Sequence, residues 1–394
     1  MKRPRTGSVL VAATMAVLAV AGAGPAAAGL PARPAIGSSG WRAVATISVP
    51  SHSTGMFAVA SAAAIPGWTW AVGGAVPTGT GKVKPLVEEW TGRRWLRLEL
   101  PSAAVSALGP DPVLVTAAAF RVNQLWAFTP SGGWLTGSGS NWTAGRLRSA
   151  RPLLIQASIT GTDEGTWALG GIKAANGFVP YAAVSLRPNR WKRMPVPGRG
   201  VIVGASVNQA FGNDIWAVLG EGVAALPASE PGLVHWDGLR WRTVGLPPRL
   251  RISTLSSVLV RGAGVWVGGG VRNGRHGTTE VLGHWNGQRW RVITLRAAAT
   301  SAPFRVTSMV NDGAGGIWAL GTCFAKQCAN GAASRLWHEV GGRWSGPIEP
   351  RLASKPTVLF GLADQRHSVW GPGAVKVTKT RANGLIALWR PTPR

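Results

Sequence analysis

Residues 214–244 read DIWAVLGEGVAALPASEPGLVHWDGLRWRTV. Ile215–Gly220 is a short apolar run ending on glycine, the length of a buried strand rather than a helix. Leu233–Trp236 is a second run of the same kind. Asp237 and Gly238 then supply a tight turn, and Trp241 opens a third run. Just upstream, Val201–Val207 is a small-residue β run. The stretch therefore reads as four short strands, with tryptophan on the second, third and fourth.

The same unit recurs along the 394 residues. The second-strand tryptophans are Trp70, Trp126, Trp167, Trp216, Trp266, Trp318 and Trp370, spaced 41 to 56 residues apart. The fourth-strand tryptophans are Trp41, Trp95, Trp142, Trp191, Trp241, Trp290 and Trp344. A looser third series precedes the turn at Trp90, Trp134, Trp236, Trp285, Trp337 and Trp389. Four strands at a period near 50 fit a β-propeller blade better than a sandwich or a β-helix. The expected fold is all-β: a seven-bladed β-propeller of four-stranded antiparallel blades over residues 41–394. The two ends are out of step. Trp41 has no preceding strands, and the run ending at Trp389 has no fourth strand after it. The segment 41–49 is therefore expected to complete the last blade and close the ring, leaving no open edge between first and last blades. Most of the 21 tryptophans read as packing between blades. Trp68 and Trp134 fit the repeat least well and are the candidates for sugar-stacking platforms.

The Gly-Gly pairs at 73–74, 170–171 and 268–269, with the paired tryptophans of each blade, make the chain resemble kelch-like repeats of the galactose-oxidase central-domain type, in the Trp-rich form found in secreted bacterial proteins. The resemblance implies the fold and leaves activity open, because propellers host unrelated functions. Its copper chemistry implies two tyrosines, one joined to a cysteine, and two histidines. Tyr181 is the one tyrosine here, so that activity is not expected. A sialidase-type nucleophile would also have to be Tyr181, which reads as an ordinary third-strand residue.

No nucleophile elbow, phosphate loop or dinucleotide fingerprint is present, so the catalytic residues are unknown and no cofactor or metal is expected. Cys323 and Cys328 share one loop and read as a disulfide worth roughly 2 kcal/mol by loop entropy. His235 and His284 each precede a third-strand tryptophan, the place held by Glu89 in the first repeat, and read as scaffold. His52, His276 and His367 read as solvated loop residues. Asp163, Asp214, Asp312 and Asp364 recur before the second strand, where Asx turns account for them.

The 42 Lys and Arg face only 15 Asp and Glu, a formal net charge of +27. Apolar content of 45% excludes a disordered polycation. Arg93, Arg94, Arg97, Arg190, Lys192, Arg193, Arg240, Arg242, Arg289, Arg291 and Arg343 fall at third-to-fourth-strand turns and should form a basic band on one outer rim. The opposite face, where propellers commonly bind ligands, should carry Lys82, Lys84, Lys173, Arg199, Arg249, Arg251, Arg272, Arg275, Lys376, Lys379 and Arg381, against Asp111, Glu221, Glu230 and Glu280. These eleven basic residues are the candidate ligand-binding set. Such a field attracts polyanions, although base composition or solubility would also account for it.

A basic head, an apolar run at 9–21 and the small residues Ala26-Ala27-Ala28 read as a signal peptide over 1–28, with a flexible lead-in over 29–40. The expected protein is secreted and monomeric, with no membrane-spanning segment after processing. Its expected function is non-catalytic binding or scaffolding of anionic surface polymers, acidic polysaccharide or another protein, without specific nucleic-acid recognition. The alternative is a carbohydrate-active hydrolase or lyase with its site at the channel mouth.

Overall fold

The protein is described by a computed structural model over residues 40–47, 53–65, 68–77, 83–121, 124–160, 165–187, 190–208, 214–220, 231–251, 253–272, 278–296, 302–323, 328, 333–350, 357–365, 368–376 and 382–390. The signal-peptide and most of the lead-in reading lie outside these residues. No described helix is long and apolar enough to cross a membrane.

Seven four-stranded antiparallel blades follow one another around a ring. Blade 1 comprises Ser53–Ile65, Trp68–Pro77, Lys84–Trp90 and Trp95–Arg97. Blade 2 comprises Thr116–Arg121, Gln124–Phe128, Gly133–Ser138 and Asn141–Arg146. Blade 3 is Leu153–Thr160, Thr166–Ala174, Gly177–Arg187 and Arg190–Met194. Blade 4 is Val201–Val207, Ile215–Gly220, Gly232–Trp236 and Trp241–Val244. Blade 5 is Ser253–Arg261, Gly264–Arg272, Thr278–Trp285 and Trp290–Thr294. Blade 6 is Arg305–Asn311, Ile317–Cys323, Ala333–Val340 and Arg343–Ile348. In blade 7 the innermost strand is split into Thr357–Leu359 and Ala363–Gln365, followed by Ser368–Lys376 and Ala382–Trp389.

The fourth strand of blade 7 comes from the other end of the chain. Trp41–Ile47 pairs antiparallel with Ala382–Trp389, with Trp41 opposite Trp389. That pairing repeats the Trp90–Trp95, Trp236–Trp241 and Trp285–Trp290 pairs of blades 1, 4 and 5. The ring is thus closed by its first described strand.

The core is divided among the blade interfaces. Between blades 3 and 4, Trp167 packs on Trp236 and Trp241 at centroid distances of 5.3 and 5.8 Å. Trp318 of blade 6 meets Trp41 and Trp389 of blade 7 in the same way, and Trp370 of blade 7 meets Trp90 and Trp95 of blade 1. A second-strand tryptophan therefore fills the wedge left by the outer strands of the next blade, stabilising by roughly 2–3 kcal/mol for each ring buried. Trp134 belongs to this core. It is buried beside Trp126 and Trp191, which corrects its reading as a sugar platform. The side chain of Trp68 lies outside the described residues.

One glycine position is set by a close approach. Inner strands of blades 3 and 5 carry a bulge, between Ile155 and Ala157 and between Leu255 and Ser257. The bulge tips a carbonyl toward the second strand. A Cβ on Gly170 would sit 2.0 Å from the Leu154 oxygen, and one on Gly269 2.2 Å from the Thr254 oxygen. Blade 7 breaks its inner strand instead, and Gly373 would meet the Val358 oxygen at 2.1 Å. In blades 3 and 5 the carbonyl leaves room for glycine alone at this place, whereas blade 4 carries the same bulge, between Ile202 and Gly204, with Leu219 opposite.

Inner strands are stitched across blades by hydroxyls. Thr116 and Ser158 lie 2.9 Å apart across blades 2 and 3. Ser257 donates to the Val306 carbonyl across blades 5 and 6. Ser308 accepts from the Leu362 N–H across blades 6 and 7.

Candidate functional site

A glycoside hydrolase site would need a pair of carboxylates. Among the inner strands described, Asp364 is the one carboxylate. Six others are already held by basic side chains: Glu88 by Arg97, Asp214 by His235, Asp237 by Arg242, Glu280 by Arg335, Asp312 by His338 and Glu339 by Arg261. No group of three or more His, Cys, Asp or Glu able to hold a metal occurs among the described residues. Glu280 is not a loop countercharge as expected. It is buried in the third strand of blade 5, accepts from the Trp337 indole at 3.2 Å, and is pushed up in pKa by burial against the pull of Arg335. Arg335 in turn lies 3.4 Å over the Phe304 ring, beside the Cys323–Cys328 disulfide. Tyr181 is buried, and burial raises its phenol pKa, with Arg193 partly offsetting it. Such a phenol is poorly suited to act as a nucleophile.

The histidines form a repeated device. In blade 4, His235 faces Trp216 across the sheet and stacks on it at 4.3 Å. Its Nε2 lies 2.6 Å from Asp214 Oδ1, and the Trp216 indole N–H donates to the same oxygen at 2.9 Å. Burial raises the Asp214 carboxyl, but hydrogen bonds from His235, Asn208 and Trp216 outweigh it and hold the pKa below the usual value. In blade 6, His338 stacks on Trp318 at 4.0 Å and reaches Asp312 Oδ2 at 2.9 Å. Asp312 also accepts from the Ala314 and Gly316 N–H groups, the expected Asx turn. Sequence reading missed His338 as a member of this set. It aligned Trp337 with Trp236 and Trp285, whereas Glu339 holds that register position and Trp337 sits two residues earlier on the strand, opposite Ala319. In blade 5, His284 stacks on Trp266 at 4.1 Å without a carboxylate partner among the described residues. Asp364 is exposed in the split inner strand of blade 7. Asp163, His52, His276 and His367 lie outside the described residues.

Two clefts open between neighbouring blades. The first, about 790 Å³, lies at the ring closure between blade 7's outermost strand, Trp41–Ile47, and the hairpin of blade 1. Its walls carry Arg42, Arg93, Arg94 and Arg97, and Glu88 is its one carboxylate. Arg97 already holds Glu88 at 2.9 Å, so Arg42, Arg93 and Arg94 are left without an ion-pair partner among the described residues. Arg42 was not singled out from sequence. The signal was there in the Trp-Arg dipeptide that recurs at 241–242 and 290–291. The second cleft, about 390 Å³, lies between blades 5 and 6 and is lined by Arg261, Gly264, Trp266, His284, Arg291 and Glu339, among others.

All eleven residues of the basic rim band are exposed. Of the candidate ligand-binding set on the other face, Lys84, Lys173, Arg199, Arg249, Arg251 and Arg272 are also exposed, but they are spread from blade 1 to blade 5 and line neither cleft. Two are engaged locally: Arg251 donates to the Leu246 carbonyl and Arg249 to Thr294 Oγ1. Lys82, Arg275, Lys379 and Arg381 lie outside the described residues, as does the side chain of Lys376.

No family model matches the chain, and no curated protein matches it in sequence. Among solved structures it is similar to YCF48 bound to D1 peptide, at 14% identity and a TM-score of 0.57, covering 91% of this chain and 99% of that one. It is also similar to the GH74 xyloglucanase from Xanthomonas campestris, at 14% identity and a TM-score of 0.54, covering 87% of this chain and 55% of that one. At this identity both likenesses speak to the fold alone.

Proposed function

We propose that the protein is an exported, non-catalytic binding propeller that holds anionic surface polymers, such as acidic polysaccharide, on its basic outer rim. The observation that carries this reading is the closure cleft, where three arginines converge with the one nearby carboxylate already paired. The rim band extends the same sign of charge around blades 1, 3, 4, 5 and 6. A surface of this kind concentrates polyanions and speeds their encounter with the protein, and added salt weakens it. The hydrolase alternative asks for two carboxylates about 5–9 Å apart at the channel. The inner strands offer Asp364, and six other carboxylates are already engaged, four by arginine and two by histidine. The kelch-like resemblance of the glycine pairs is compatible with either role and belongs to this reading.

Retention on immobilised polygalacturonate and on lipoteichoic acid tests the proposal. Binding is expected at low salt and is expected to fall steeply as salt rises. An Arg42→Gln, Arg93→Gln, Arg94→Gln triple variant should elute at distinctly lower salt than a variant neutralised at Lys84, Lys173 and Arg272. Absence of retention at low salt on both matrices would end the proposal.

A further inference from the structure

Blades 4, 5 and 6 each stack a histidine on the second-strand tryptophan, and two of the three give that histidine a carboxylate. The carboxylate comes from one of two equivalent places at the inner hairpin. In blade 4 they hold Asn208 and Asp214, and in blade 6 Asp312 and Gly316. In blade 5 they hold Arg261 and Gly264, so neither supplies an acid. The imidazole itself covers the vacant position: a Cβ on Gly264 would lie 2.9 Å from His284 Nε2, too close for both to stay in place. His284 has no hydrogen-bond partner among the described residues.

The cleft around it is electropositive. Arg291 stands opposite His284 on the neighbouring strand, is exposed, and forms no ion pair among the described residues. Arg261 is tied to Glu339 at 3.5 Å and donates to the Gly315 carbonyl. Glu339 is buried and also accepts from the Gly342 N–H. Two guanidiniums therefore face one carboxylate that is already committed.

We propose that the blade 5–6 cleft binds the carboxylate group of a small ligand, beside the His284 ring that covers Gly264, with His284 and Arg291 as donors. A carboxylate presents two acceptor oxygens in one plane, which suits an imidazole N–H beside a guanidinium fork. Blade 4 already shows a carboxylate accepting from the corresponding imidazole and indole. Burial, then Arg291 and Arg261, hold the His284 pKa below the usual value against the pull of Glu339. A neutral ring keeps one N–H to donate and adds no like charge beside Arg291. The volume of about 390 Å³ suits a group of monosaccharide size. The inference stands apart from the polymer reading, which concerns the rim as a whole.

The test is a titration of histidine-labelled protein with sodium acetate and, at equal ionic strength, sodium chloride, followed by the imidazole nitrogen signals of His284. Acetate is expected to give a saturable shift with a Kd on the order of millimolar, and chloride none. Arg291→Gln, at an exposed side chain, should weaken acetate about 5-fold or more. Gly264→Asp, whose side chain must displace the His284 ring and brings its own carboxylate, should abolish the response. If that variant does not fold, Arg291→Gln decides. Glucuronate binding tighter than acetate would identify a sugar acid as the source of the group, and equal binding a free small carboxylate. An equal response to chloride, or an unchanged response in Arg291→Gln, overturns the assignment.

Discussion

Trp167 is 1% exposed, wedged against Trp236 and Trp241 of the next blade, and its indole N–H has no acceptor among the described residues. Its ring is therefore kept for volume and contact, and its polar atom is a cost. Trp167→Ala should destabilise by about 3–5 kcal/mol, while Trp167→Phe should cost much less; denaturant unfolding would measure both. Asp312 makes the opposite kind of contribution. Burial raises its carboxyl, but bonds from His338, Ala314 and Gly316 win and depress its pKa. The stability it supplies is thus fully present above the unfolded value near 4 and is lost as pH falls through the lower folded value. Asp312→Asn should be less stable than the parent at pH 6 by about 1–3 kcal/mol, and the gap should close in unfolding curves taken between pH 4 and 2. Individual roles of this kind were only partly readable in advance. The tryptophan ladder was plain because each ring recurs in register. His338 was hidden because Trp337 sits at a different register position from the tryptophans of neighbouring repeats, and Glu280 because a short connection makes a buried strand residue look like part of a loop.

The strand Trp41–Ile47 is the element on which the ring depends. It covers the outer edge of Ala382–Trp389, and Trp41 packs edge-on against Trp318 with centroids 5.5 Å apart. Trp41→Ala should cost about 3–5 kcal/mol. Hydrogen exchange should show the loss first in residues 382–389, while blades 3 and 4 keep their protection; uniform loss across all blades would argue against a seam. This pairing could be reasoned out beforehand, because an unmatched tryptophan at each end leaves one complete blade when the ends are joined. The inner-strand bulges could not be, since nothing in the bulged segments marks them and the facing residue is glycine in blades 3 and 5 but Leu219 in blade 4.

Seven wedges of tryptophan and aliphatic side chains hold the whole molecule together, one at each blade interface. The basic band follows the repeat because its arginines occupy equivalent turns, so its location was legible from spacing alone. The clefts were not: each is made by two neighbouring blades, from segments about 50 positions apart in the chain. The closing pair has a mechanical consequence as well. Trp41 and Trp389 sit opposite one another where both strands leave the blade. A pull that drew residues 40 and 390 apart would load that rung first and peel the ladder open one rung after another, instead of shearing all its rungs together. The closure would then yield to modest tension.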